Sequence, residues 1–255
     1  MKIIRPRSLV QSLFNSLGYQ VVKIRHRTEI PYDMDQDFKE IYFKTRSFTQ
    51  TAISNMYAMY SSVKYLVENN IPGDIVECGV WKGGSAMIAA LALVDMKETS
   101  RRLWLYDTYE GMTEPSDADI QAFDGLMARK RWESAIEGDV NSWNYVSLEE
   151  VKENVLSTKY PKENIDFVKG RVEDTIPKFM PENIALLRLD TDFYESTAHE
   201  LIHLFPRLSK QGVLIIDDYG WWKGSRKATD EYIEANKIPL LLNRIDEGAR
   251  IAIKT

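Results

Sequence analysis

From about residue 70 onward, short apolar runs rich in β-branched residues alternate with stretches of helical periodicity. Residues 74–79 (DIVECG), 102–107 (RLWLYD), 165–169 (IDFVK), 184–190 (IALLRLD) and 212–217 (GVLIID) predict five strands, most ending at a glycine or an aspartate. Gly84 and Ser85 open an apolar helix over 84–93, and 148–156 (LEEVKENVL) predicts a crossover helix. Continuous apolar strands separated by helices imply a mostly parallel, doubly wound α/β sheet covered on both faces. Residues 238–245, a tight turn at 246–248 and residues 249–253 predict a C-terminal antiparallel hairpin at one edge. Before the sheet, residues 47–69 predict a helix with Ile53, Met56, Tyr60, Val63 and Val67 on its apolar side. Residues 1–70 therefore form an N-terminal helical cap. The polar, Trp-containing stretch 108–164 is too long for a simple crossover and predicts a lid insertion. With no repeat, low-complexity tract or linker, residues 1–255 are expected to make one domain.

Composition narrows the function. The chain is 44% hydrophobic and 28% charged with a net charge of -5, the profile of an ordinary globular protein without the basic stripe that nucleic acid requires. Six basic residues (Lys2, Arg5, Arg7, Lys23, Arg25, Arg27) precede the first acid, Glu29. Ser8 and Gln11 resemble a capping box, and Leu9, Val10, Leu13, Phe14 and Leu17 share one helical face. So short a segment is expected to pack on its own domain or a sister subunit, giving a homo-oligomer, rather than insert stably in a membrane. Cys78 is the single cysteine, which rules out an internal disulfide and a multi-cysteine zinc site. There is no apolar run long enough to span a bilayer and no signal-peptide pattern, so the expected location is cytoplasmic.

In open α/β sheets ligands bind beyond the carboxyl ends of the strands. The first strand delivers Glu77, Gly79, Gly83, Gly84 and Ser85 there, the second Asp107, the fourth Asp190, Thr191 and Asp192, and the fifth Asp217 and Asp218. So many carboxylates at one edge repel one another unless a cation or bound donors offset the repulsion. The glycine loop is neither a dinucleotide fingerprint nor a P-loop. A loop that begins with an acid is a poor host for pyrophosphate and a good one for a cation such as S-adenosylmethionine (SAM), which carries a sulfonium and an ammonium. Asp107 is placed to accept both ribose hydroxyls. Asp190, Asp217 and Asp218 offer oxygen donors to a hard cation, Mg2+ or Ca2+. Residues 199–203 (HELIH) match the zinc-protease pattern, but helical spacing sets His199 and His203 opposite the apolar face, so they read as a solvated surface.

These blocks resemble the TylF/MycF (macrocin O-methyltransferase) family: 73–85 (GDIVECGVWKGGS), 107–115 (DTYEGMTEP), 168–177 (VKGRVEDTIP), 189–197 (LDTDFYEST) and 217–220 (DDYG). The resemblance covers about 45–235 and implies a Rossmann-like class I SAM methyltransferase with a seven-stranded sheet, methylating a sugar hydroxyl with SAM and Mg2+. It places Glu77, Gly79 and Ser85 at the methionine portion of SAM and Asp107 at the ribose. Arg171, Glu173 and Asp174 would flank the adenine, and Asp190, Asp217 and Asp218 would hold the metal. Thr113 stands where the family's lid motif has proline. A carboxylate must take the acceptor's proton; Asp190 is the first expectation and Asp192 the second, with helix N-capping as the other reading of Asp192. Trp132, Trp143 and Tyr145 either contact the acceptor from the lid or belong to the core. Two other readings remain: a catechol-type enzyme, favoured by an aromatic-walled slot, and a non-catalytic binding module.

Overall fold

A computed structural model describes residues 14–18, 30–138 and 140–255. The chain divides into Met1–Met34 and Asp35–Thr255. In the first unit residues 14–16 form a helical turn, and the rest of the predicted basic amphipathic face lies outside the described residues.

The second unit begins with α1 (Gln36–Thr45) and α2 (Ile53–Glu68), followed by β1 (Asp74–Cys78), α3 (Gly84–Asp95) and β2 (Leu103–Asp107). The insertion contributes α4 (Ala128–Ser134), a small hairpin of β3 (Ile136–Glu137) and β4 (Val140–Asn141), and α5 (Leu148–Leu156). Then come β5 (Ile165–Lys169), α6 (Val172–Thr175), β6 (Ile184–Leu189), α7 (Tyr194–Leu204), β7 (Leu208–Ile216), α8 (Lys223–Ala235), β8 (Asn243–Arg244) and β9 (Arg250–Ile253). The seven-stranded sheet has the order β5-β2-β1-β6-β7-β9-β8, parallel through β7 and antiparallel at β9 and β8. The direction of winding reverses between β1 and β6, so a crevice opens at their carboxyl ends. Every residue of β6 is buried, as a central parallel strand covered on both faces requires.

Three expectations change. The helix predicted over 47–69 starts only at Ile53, and residues 48–52 run irregularly beside the crevice, with Phe48 O accepting the Gly84 N–H at 3.0 Å. The first tail strand shrinks to Asn243–Arg244. Pro239 has no N–H to give a ladder, and Ile238, Leu240 and Leu242 lean on the core while Leu241 stays 80% exposed. His199 and His203 are half-buried instead of solvated, because α6 packs beside α7; their rings sit 4.4 Å apart and His199 Nε2 lies 3.0 Å from Ile176 O. Glu200, between them, turns inward, fully buried, to accept from Thr191 Oγ1 at 3.0 Å. A zinc pair with an outward-facing base is thereby excluded.

Candidate active site

The parallel register sets the strand ends side by side. Gly79 N–H donates to Tyr106 O, Asp190 N–H to Cys78 O and Asp217 N–H to Leu189 O, each at 2.8–2.9 Å. Gly79 has φ +82° and a Cβ built there would lie 2.0 Å from Asp190 O, so the first loop can cross the end of β6 only without a side chain. Gly83, also left-handed at φ 88°, turns the chain into α3, whose first N–H, that of Gly84, is taken by Phe48 O.

Arg188, 3% exposed in mid-strand, organises the acids. Its Nη1 donates to Glu77 Oε1 and to Asp190 Oδ2, both at 2.7 Å. Its Nη2 lies 2.9 Å from Asp217 Oδ1 but is not aligned for a hydrogen bond. Glu77 Oε2 and Asp217 Oδ1 are left buried without hydrogen-bond donors. One ligand oxygen from each of Asp190, Asp217 and Asp218 falls within 4.8 Å of the others. Glu77, Asp190 and Asp217 thus share one guanidinium, and Asp192 and Asp218 stand beside them without an arginine of their own among the described residues. Burial pushes the Glu77 carboxyl up to about 7 against the pull of Arg188. Burial first, and the neighbouring acids after it, raise Asp190 and Asp218 well above the usual carboxylate range. Orphaned acceptors among mutually repelling acids fit a cationic ligand head at Glu77 and a divalent cation at the aspartates.

Asp192 differs from its neighbours. Its backbone is left-handed (φ 65°), a conformation a non-glycine residue adopts at a cost. Trp222 Nε1 donates to its Oδ1 at 2.6 Å, and its own N–H donates to Asp218 Oδ2 at 3.1 Å. Burial raises it to about 6, with Asp218, Trp222 and Arg131 pulling the other way. It does not cap α7. The N–H of Tyr194 donates instead to Asp119 Oδ1 at 2.7 Å, a buried acid supplied by the lid.

Asp107 is committed differently from the sequence reading. Its Oδ2 accepts the Val80 and Trp81 N–H groups at 2.7 and 3.1 Å, and its Oδ1 accepts Tyr109 N–H at 2.7 Å. A carboxylate offers about four acceptor sites, so roughly one is left for a ligand where two were expected. Asp107 thereby ties the glycine loop to β2. Ser85, Arg171 and Glu173 line the cavity; Arg171 Nε is 3.4 Å from Glu173 Oε2. Asp174 is exposed and outside the lining, because α6 is a single turn that carries it outward.

The cavity encloses about 590 Å3 and is bounded by residues that the sequence motifs do not mark. Asn55 lines it with a buried, unpartnered Oδ1, and Gln50 bonds the lid through Asn144 at 3.2 Å. Trp143, Phe193 and Trp222 form an edge-to-face cluster with Ala128 buried beside them, which anchors the 108–164 insertion to the sheet. Trp143 lines the cavity from that cluster, Trp132 packs behind it with Nε1 donating to Met112 O, and Tyr145 is 45% exposed. Tertiary packing alone assembles this side, and the only sequence signal for it is the density of tryptophans.

The family model described as macrocin-O-methyltransferase (TylF) matches residues 7–252. The demethyldecarbamoylnovobiocin O-methyltransferase of Streptomyces niveus is 33% identical over 184 residues, 72% of this chain and 67% of that protein. The 8-demethyl-8-(2,3-dimethoxy-alpha-L-rhamnosyl)-tetracenomycin-C 4'-O-methyltransferase of Streptomyces olivaceus is 34% identical over 67% of this chain and 62% of its own length. The solved structure of the O-methyltransferase NovP superposes with a TM-score of 0.72 at 30% identity, covering 82% of each chain.

Proposed function

Because the chain belongs to the macrocin-O-methyltransferase (TylF) family, we propose that it transfers the methyl group of SAM to a sugar hydroxyl with the help of Mg2+. The observation that carries this reading is the set of carboxylates around Arg188 at the switch point of the sheet, opening on a cavity of ligand size. The sugar acceptor is supported by a relative whose name describes a rhamnosyl-bearing acceptor. Within the buried cluster Trp143 meets Phe193 at 70° and Phe193 meets Trp222 at 83°, so those three rings cover one another's faces and leave no slot for a flat diol between them.

SAM supplies an electrophilic methyl already activated by its sulfonium charge. Mg2+ bound at the aspartates would supply a Lewis acid able to lower the acceptor hydroxyl's pKa and help orient it. Glu77 Oε2 receives the ammonium end of SAM, while Gly79 and Ser85 let its methionine portion approach the backbone. Asp107 keeps one acceptor site for the ribose, and Arg171 and Glu173 flank the adenine. Asp190, Asp217 and Asp218 would hold the metal.

Asp192 takes the proton, reversing the order expected from sequence. Asp190 has Oδ2 held by Arg188 and belongs to the set assigned to the metal, so its oxygens are engaged, whereas Asp192 faces the cavity with its carboxylate oriented by Trp222. The lid, anchored through Trp143, excludes water. Among the described residues no helix is long and apolar enough to cross a membrane. The single cysteine and the basic N-terminal stretch support a cytoplasmic homo-oligomer, which light scattering on the full chain tests.

Labelled SAM with Mg2+ and a panel of glycosides tests the reaction; transfer to catechols in preference to every sugar would overturn it. Glu77→Gln is expected to weaken SAM binding by about tenfold to a hundredfold, the loss of one charge-assisted contact, as read by calorimetry. Metal linkage has a pH signature. Glu77 and Asp192 have folded pKa values near 7 and 6, above their ordinary values of 4.5 and 3.8. The folded state therefore retains protons that the unfolded state releases, and the stability of the chelated protein should fall as pH rises from about 4 to about 7. Mg2+ binds the deprotonated cluster, so it should raise the melting temperature more at pH 7.5 than at pH 5.5, in scans at about those two values. Equal gains at both would count against metal binding here.

A further inference from the structure

Two features at the acceptor side of the cavity have no task in the mechanism above. The first is Arg131, on α4 of the lid. Three arginines line the cavity: Arg188 is bound to Glu77, Asp190 and Asp217, and Arg171 is paired with Glu173. Arg131 makes no ion pair among the described residues, although it is near enough to Asp192 to draw that carboxyl down and the cavity is rich in acids. Its guanidinium carbon instead lies over the Trp143 ring, 4.2 Å from the centroid. A cation–aromatic contact positions the guanidinium without using its N–H groups, the arrangement suited to a phosphate.

The second feature is an exposed aromatic pair. Phe123, from the lid, and Trp221, from the turn before α8, meet edge to face at 5.7 Å and line the same cavity while 67% and 40% exposed. Trp221 is rigidly backed. Its carbonyl accepts Ala122 N–H at 2.8 Å, and its indole presses on Gly248, where a Cβ would lie 2.0 Å from the ring. Three separate chain segments thus hold one wall in water. Phe123, Trp221 and Arg131 all line the one cavity, so the wall and the guanidinium face the same space.

We propose that the acceptor sugar is presented as a nucleoside diphosphate sugar, with Arg131 taking the diphosphate and the Trp221–Phe123 wall taking the base. The inference rests on the sugar reading above and adds what the sugar is attached to. An anion beside so many acids needs a local cation, and Arg131 is the lining cation left to supply it. A base stacks on an exposed aromatic face without needing donors or acceptors there. A neutral apolar group in place of the nucleotide would use the wall and leave Arg131 idle; a simple sugar phosphate would do the reverse.

The test is calorimetric binding to the protein loaded with S-adenosylhomocysteine and Mg2+. Uridine diphosphate alone is the first probe, followed by UDP-glucose, glucose 1-phosphate, 4-nitrophenyl glucoside and methyl glucoside. The diphosphate should bind, and UDP-glucose should bind at least about tenfold more tightly than either the phosphate or the aryl glucoside. Arg131→Met keeps a long apolar chain over Trp143 and should cost about tenfold or more for the two phosphate ligands but not for the aryl glucoside. Arg131→Lys retains the charge and should recover part of that loss. Trp221→Ala should weaken uridine diphosphate and the aryl glucoside but not glucose 1-phosphate. If uridine diphosphate fails to bind, or the aryl glucoside binds as well as UDP-glucose, the inference falls while the sugar reading stands. If uridine diphosphate binds through Arg131 and Trp221 yet no sugar in any form is methylated, the sugar reading falls and the cation–aromatic site stands.

Discussion

Asp217→Asn is expected to lower turnover by about 10²–10³-fold or more while leaving SAM affinity essentially unchanged. Asp217 is 8% exposed and ends β7 beside Asp190 and Asp218, whereas the contacts assigned to SAM come from β1 and the loop that Asp107 holds. The amide keeps the shape of the side chain but removes the charge that a hard cation prefers in its ligand. Misfolding is separable from loss of metal. In the wild-type protein three acids share Arg188 and Asp192 and Asp218 crowd beside them, so removing one charge relieves repulsion, and the chelated variant should melt no lower than the chelated wild type. Its Mg2+-dependent gain in melting temperature should disappear. Undiminished turnover in the variant, or full turnover of the wild type in excess chelator, would remove the metal from the mechanism.

Asp192→Asn tests the proton acceptor and is expected to lower kcat by about 10²–10⁴-fold with little change in the Kd for SAM or in the Mg2+-induced rise in melting temperature. Asp190→Asn, by contrast, should lose both turnover and the Mg2+ response, because Asp190 belongs to the metal set and to the Arg188 network. The two variants therefore separate the two aspartates by a readout other than rate. Trp222→Phe removes the 2.6 Å donor to Asp192 while keeping a ring in the cluster, and it should reproduce part of the kcat loss. Should Asp192→Asn turn over normally, the base lies elsewhere and the left-handed strain at this residue needs another explanation.

The strand ends and their acids are legible in the sequence because each depends on local chemistry. Runs such as 184–189 have no polar face to offer water, so they must be central strands, and a glycine or aspartate directly after such a run must stand at the sheet's edge. Glu77, Gly79, Asp190, Asp217 and Asp218 follow from that rule with no knowledge of packing. The lid insertion and the class of sheet follow from segment length and alternation. Registers and caps do not. The tail run 238–242 has strand composition, but only the fold reveals that Pro239 and the short edge leave it unpaired. Asp192 has the spacing of an N-cap, but the Tyr194 N–H goes to Asp119, 75 residues before Tyr194 in the chain.

What the sequence by itself determined is the parallel α/β sheet, the glycine loop with its acid, and an excess of carboxylates at one sheet edge that calls for cations. These rest on periodicity and on charge repulsion, which act between near neighbours or along one edge. Only the tertiary structure decided how those charges are shared. It placed Arg188, which the sequence shows as one more residue in an apolar strand, at the centre of the acids. It committed Asp107 to the glycine loop and turned Asp192 to Trp222. It brought Arg131, Trp221 and Phe123 to one cavity from segments up to about a hundred residues apart. The physical reason is common to all of these: a hydrogen bond or a stacked ring constrains position within a fraction of an ångström, and hydrophobic patterning, which specifies only which face is buried, carries no information at that scale.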